Sequence, residues 1–440
     1  MSVPVAPGRL PLLGHTVSLL RGRADFTEAL REHGEIVEVD LGPVPTYFVT
    51  SARFTHQVLV TDGAKFRKGL LFERFRPYLG NGLALSEGSF HRRQRRMMQP
   101  AFTRDRIAQY AEAMVRAATD LVDTWRPGEP RVVENDMQAL AVTVVGETLF
   151  STEIGQRAIA EIRRSVFDVL RNGAVRALSP AFVARLPIPV NRKFDQAAER
   201  MRAIVLEVIE SWRAEGADHG DLLSTLLLAH DEESGEGMSD QQVYDEVITL
   251  LTAGIETSAV ALGWLFHELA QHPEVERRVH AEVDEVLAGR PVAFGDLPRL
   301  GYLYQVVNEV LRKYPIWILM RKAVEPVDLA GTVLPAGAEV IVSPHLVHHD
   351  PAHHPDPERF DPDRWAGDRA ATLPRGAFVP FGGGARQCIG NVFAQTEIVI
   401  ALATVAARWR LVQVPGTRAR AKFTTAAYPV DLLMTPVPRT

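Results

Sequence analysis

The sequence predicts a mainly α fold with a small β portion, carried by one domain over residues 1–440. Three observations lead there. From about Arg92 to Glu285 apolar residues recur mostly at helical spacing, interrupted at Pro127-Gly128, Pro187-Ile188-Pro189 and the polar stretch Asp231–Gly237. Short β-like runs lie near both ends. No repeat, low-complexity tract or long flexible linker divides the chain, although its length alone would allow two or three domains.

In chain order, Pro7–His15 reads as a stiff, turning segment. Ile36–Leu41 and Thr46–Thr50 read as strands separated by Gly42-Pro43-Val44-Pro45. Ser239-Asp240-Gln241-Gln242 has the form of a capping box. The helix it opens continues to Gln271, before His272-Pro273 stops it, and at helical rise spans about 50 Å. A β-like hairpin is expected over Val327–Val342, with turns at Gly331 and Pro335-Ala336-Gly337, and helix returns at about Asn391.

A formal charge of −5 argues against general nucleic-acid binding. No apolar stretch reads as long enough to span a bilayer, and prolines interrupt 1–13 where a signal peptide would have its apolar core. A soluble, cytoplasmic protein is expected.

The chain has one cysteine, in Phe381-Gly382-Gly383-Gly384-Ala385-Arg386-Gln387-Cys388-Ile389-Gly390. One thiol cannot form an internal disulfide or fill a four-sulfur metal site. It is a buried spectator, a nucleophile or one axial ligand. Flanking glycines and a following helix start favour thiolate, and a thiolate so held suits haem iron.

In the centre of the long helix lies Ala253-Gly254-Ile255-Glu256-Thr257-Ser258. Glycine, an acid and two hydroxyls are poor choices for the middle of a buried helix. They mark either a kink with a satisfied polar pair or a functional turn. Glu309 and Arg312 share a helix face and can pair. His91-Arg92-Arg93-Gln94-Arg95-Arg96 places His91 and Arg95 at i and i+4; a solvated helix face is the plain alternative. The histidines 345, 348, 349, 353 and 354 lie among Asp-Pro and Pro-Asp turns with no cysteine and read as a hydrated surface loop.

The cysteine segment matches F-x-x-G-x-R-x-C-x-G, and on it the chain resembles the cytochrome P450 family, with further motifs in order along essentially its whole length. The resemblance implies the cytochrome P450 fold and a monooxygenase holding haem b, with Cys388 as axial thiolate to iron. It implies that Glu256 and Thr257, with Gly254 giving access, handle dioxygen and protons. His91, Arg95, Arg321 and Arg386 would hold haem propionates. Glu309, Arg312 and a second arginine would form a structural triad. Pro357-Glu358-Arg359-Phe360 is the literal motif string, but Pro362-Asp363-Arg364-Trp365 has the family's spacing to the cysteine loop, so Arg364 is expected.

Ile316, Trp317 and Ile318, with Ala253 and Gly254, would face an apolar substrate, alongside 424–428, 66–78 and 175–190. Simple core packing is the plain reading of Ile316–Met320. The resemblance further implies a monomer fed by a ferredoxin and its reductase, with Arg92, Arg93 and Arg96 on the partner surface. Likeness to terpene-oxidising bacterial members suggests hydroxylation or multi-step oxidation of a cyclic terpene in secondary metabolism. Fatty acids or polyketides, a peroxygenase of the same fold, and a haem sensor or electron carrier are the rival readings.

Overall fold

The computed structural model describes all residues except 1, 2, 22, 43, 151, 152, 179–182, 184, 185, 424–426 and 440. Its contacts group into two compact units. The first takes Met1–Glu73, Asn308–Cys388 and Thr425–Ala427, and the second Arg74–Val307, Ile389–Thr424 and Tyr428–Thr440.

The first unit is built on a five-stranded sheet. Its strands are β1 (Ile36–Glu38), β2 (Thr46–Val49), β3 (Phe66–Lys68), β5 (Leu319–Ala323) and β8 (Glu339–Val342), in the order β1-β2-β8-β5-β3. Pairing is antiparallel except between β2 and β8, where Thr46 lies opposite Glu339 and Val49 opposite Val342. β8 was expected at the end of a hairpin. It instead crosses into this sheet, because Val340, Ile341 and Val342 are apolar on both faces and need cover on both. Only β6 (Val327–Leu329) and β7 (Thr332–Leu334) form the hairpin, turned where Gly331 has φ of 88° and its N–H reaches the Asp328 carboxylate at 2.6 Å.

The last turns of the helix Gly301–Lys313 bring Glu309 and Arg312 into this unit, both fully buried. Arg312 donates to both oxygens of Glu309 at 2.9 and 3.0 Å, and its remaining N–H groups reach the carbonyls of His348 and Pro357. Glu309 also accepts from the Asp361 N–H at 2.9 Å and from the Trp365 indole at 3.0 Å. The side chain of Arg364 reaches Glu309 at 3.3 Å; Arg359 contributes its main-chain carbonyl. One buried carboxylate thus organises 348–365.

The histidine segment is not a hydrated loop. His348, His349 and His354 are buried, and His348 and His354 tie the segment to the stretch leading to Cys388. His348 Nε2 accepts from the Val379 N–H at 2.8 Å, and His354 Nε2 donates to the Ala377 carbonyl at 3.1 Å. Phe378 stacks against Trp365 with centroids 4.3 Å apart. The histidines therefore act as uncharged hydrogen-bonding groups in a core.

The second unit is helical. Its core joins the helices Val133–Leu149, Glu153–Leu178, Pro189–Glu215 and Asp240–Gln271. The last begins with a complete capping box between Ser239 and Gln242. Against expectation, this helix is long and apolar enough to cross a membrane, but most of its apolar stretch is buried within the protein. It is the one such helix among the described residues. A small sheet pairs β4 (Arg131–Val132) and β9 (Trp409–Gln413) with β12 (Leu433–Pro438), and β10 (Arg420–Phe423) pairs with β11 (Ala427–Val430). These C-terminal strands were not anticipated.

Arg312→Ala leaves Glu309 with its main charge partner gone and should cost about 3–5 kcal/mol. Arg364→Ala leaves the Arg312 pair intact and should cost about 1–3 kcal/mol, with partial loss of haem on purification. Arg359→Ala should be mild, and an Arg359→Ala loss exceeding that of Arg364→Ala in denaturant unfolding would contradict this assignment.

Burial pushes His354 down to about 4 and His349 down to about 2, below the value of about 6.5 for a free imidazole. The unfolded chain then binds more protons than the folded one below about pH 6.5, so stability falls as pH drops from there toward 4. The buried acids Glu246 and Glu397, each pushed up to about 8, act with the opposite sign, gaining stability as pH falls through that value. Comparing wild type with His354→Gln isolates the histidine contribution. Lowering the pH from 7.5 to 5 should change the melting temperature more favourably in the variant than in wild type, and equal changes would contradict it.

Candidate active site

Cys388 ends the first unit and is exposed. The loop before it folds back on itself: the Cys388 N–H donates to the Phe381 carbonyl at 2.9 Å and the Gln387 N–H to that of Gly384 at 3.0 Å. One of the glycines is required by its backbone and a close approach, and another is tightly packed. Gly384 has φ of 65°, and a Cβ there would lie 2.4 Å from the Leu59 carbonyl; one on Gly383 would lie 3.0 Å from Val60. The helix Asn391–Arg408 starts three residues after the cysteine.

The basic candidates fall into two groups. Arg321, on β5 of the first unit, is 5% exposed and donates to the Met320 carbonyl, while Arg386 is half-buried in the cysteine loop. In the second unit His91 is buried and Arg95 half-buried, one turn apart on the helix Gly88–Met98. The donor set suits an iron porphyrin. In the first unit it offers an accessible thiol for iron, and in Arg321 a buried cationic group of the kind that pairs with carboxylates.

The rest of the basic run behaves differently from expectation. Arg96 pairs with Asp231 at 2.6 Å and Glu233 at 2.9 Å, and Arg93 with Glu236 at 3.2 Å. Two of the three arginines expected on a partner surface therefore have their charge matched by the 231–236 loop; Arg92 is exposed.

On the long helix of the second unit, Ala253 and Thr257 are exposed in the midst of buried neighbours. They lie one turn apart, so one small patch of an otherwise packed helix is left open. The Thr257 hydroxyl donates to the Ala253 carbonyl at 2.7 Å. Its proton is thereby committed, and its lone pairs are what it offers outward. Gly254 has a packing explanation: a Cβ there would stand 3.0 Å from Val145 of the neighbouring helix. Glu256 is half-buried and accepts a hydrogen bond from the phenol of Tyr428 on β11.

In the first unit Ile316 is 36% exposed, while Trp317 and Ile318 are half-buried against the sheet core. Residues 424–426 and parts of 175–190 lie outside the described residues.

Two residues of this region escaped the sequence reading. The first is Glu397, 1% exposed, whose carboxyl accepts from Ser258 at 2.5 Å. Burial pushes it up to about 8, so it is neutral at pH 7. A lone acid in the apolar run 396–405 was the available signal. The second is the role of Tyr428, which no local pattern reveals because Glu256 is remote in sequence.

The family model described as Cytochrome P450 matches residues 4–439. Cyclooctat-9-en-7-ol 5-monooxygenase of Streptomyces melanosporofaciens is 45% identical, over 94% of this chain and 90% of that protein. Cyclooctatin synthase of the same organism is 43% identical over 99% and 95%. Pentalenene oxygenase of Streptomyces avermitilis is 36% identical over 94% and 92%. Among solved structures, the heme domain of cytochrome P450DA matches with a TM-score of 0.90 at 24% identity, covering 100% of this chain and 98% of that one, a likeness of fold. Mainly helical with a small β portion, and matched along nearly its whole length, this chain belongs to the cytochrome P450 family of monooxygenases.

Proposed function

We propose that this cytochrome P450 monooxygenase inserts one oxygen atom of dioxygen into a cyclic terpene of secondary metabolism. The carrying observation is the 45% identity, over most of both chains, with a relative named for oxidising a cyclic terpenoid alcohol, joined by two more terpene-pathway relatives at 43% and 36%. The cofactor in this reading is haem b, with Cys388 as its thiolate ligand. His91, Arg95, Arg321 and Arg386 would pair with the propionates, and Glu309, Arg312 and Arg364 brace the chain that leads into the cysteine loop. Haem, when bound, supplies the iron centre that activates dioxygen.

The chain's own residues do the rest. Thr257 accepts a hydrogen bond on its free lone pairs and so holds a proton donor at the open patch of its helix, while Glu256 passes protons inward. Ala253 keeps that patch small and apolar, and Ile316, Trp317 and Ile318 give substrate an apolar surface. Electrons come from a ferredoxin and its reductase, and the enzyme works as a cytoplasmic monomer. In this reading residues 1–440 form one catalytic domain.

The test is turnover of purified holoenzyme with NAD(P)H, a ferredoxin and its reductase, offered cyclic diterpene alcohols, sesquiterpenes, fatty acids and macrolides. Terpenes should give oxygenated product and shift the haem spin state. Thr257→Ala should bind the same substrate as tightly but lower product per NAD(P)H on the order of tenfold, the worth of one charge-assisted hydrogen bond, with peroxide rising in step. Conversion of fatty acids or macrolides alone would overturn the substrate class. Turnover with peroxide and none with NAD(P)H would replace the monooxygenase by a peroxygenase.

A further inference from the structure

We infer that Tyr428 is a positioning residue that holds the Glu256 carboxylate in its working orientation, and that the contact between Pro429 and Gly263 fixes its place. The inference rests on the reading of Glu256 as the proton-handling acid.

Glu256 and Gly263 stand seven residues apart on the helix Asp240–Gln271, and therefore on one face, two turns apart. β11 lies against that face. A Cβ on Gly263 would come 2.7 Å from Pro429 Cγ, closer than carbon atoms approach, so only glycine admits the strand at this height. The residue before Pro429 is Tyr428, and its phenol donates to Glu256. Proline fixes its own backbone angle and biases the residue before it towards an extended conformation, so the tyrosine is delivered to the carboxylate by a stiff dipeptide.

The electrostatics agree. Burial, with the Glu256 charge and this hydrogen bond added, drives the Tyr428 phenol far above its ordinary range, so it remains a donor at every working pH. The positive charge of Arg171, on the helix Glu153–Leu178, acts on the phenol in the opposite direction.

A half-buried glutamate has three side-chain torsions and would otherwise sample several rotamers. Removing the phenolic hydroxyl leaves the acid present but free to turn, which separates positioning from chemistry.

Tyr428→Phe keeps the ring and deletes only the donor. The infrared difference between wild type and Glu256→Gln isolates the Glu256 carboxylate stretch, and Tyr428→Phe should shift that stretch in the protein before any turnover. Spin-state titration with substrate should be unchanged within about twofold. Product per NAD(P)H should fall roughly tenfold, the value of a hydrogen bond to a charged group. In the double variant with Glu256→Gln the loss should equal that of Glu256→Gln alone. Gly263→Ala, which displaces Pro429 without touching the phenol, should shift the same band and lower the same yield; it serves if Tyr428→Phe folds poorly. An unmoved band, or wild-type coupling in Tyr428→Phe while Glu256→Gln is impaired, overturns the inference alone. Wild-type turnover in Glu256→Gln removes the acid role of Glu256, and this inference with it.

Discussion

The buried carboxylate of Glu309 is the constraint on which the first unit depends. A charge taken fully out of water is stable only with its lone pairs filled, and here five N–H groups fill them, from Arg312, Arg364, Trp365 and the Asp361 main chain. Each donor belongs to a segment that must be in place for the charge to be tolerated. Arg312 extends the requirement by reaching the His348 and Pro357 carbonyls. His348 and His354 then grip the chain at Val379 and Ala377, just before the glycine-rich turn that presents Cys388. The cysteine loop is thus held at its entrance through a buried charge pair.

In the second unit the same logic runs in reverse. The helix Asp240–Gln271 is packed along most of its length, and its polar turn is secured piece by piece. Thr257 bonds back to Ala253, Ser258 to the neutral acid Glu397, and Glu256 to Tyr428. The result is a polar turn whose three side chains are each bonded yet which leaves the Ala253–Thr257 patch open. Such a patch is wasteful in a purely structural helix and useful in a monooxygenase.

What could be read in the sequence was what local chemistry determines. The capping box at Ser239 and the hairpin turn at Gly331 depend on residues three or four apart, and both formed as expected. The choice of Arg364 over Arg359 rested on spacing, and the Arg364 side chain is the one that reaches Glu309. Long-range partners were another matter. β8 finds β2 across nearly three hundred residues, the histidine-rich segment is buried by an aromatic core invisible from its own composition, and Arg93 and Arg96 are matched by acids on a remote loop. Polarity and charge along a chain state what a residue can do, while burial and partner decide which of those things it does.

Whether the one cysteine of this chain is a thiolate ligand to haem iron is tested most directly by the absorption spectrum of the reduced protein under carbon monoxide. Wild type should show the strongly red-shifted Soret band of thiolate ligation, and Cys388→His should lose it while the Glu309 network keeps the first unit folded. A globin-like Soret band in intact wild-type protein would contradict the assignment of Cys388 and the haem-thiolate chemistry built upon it.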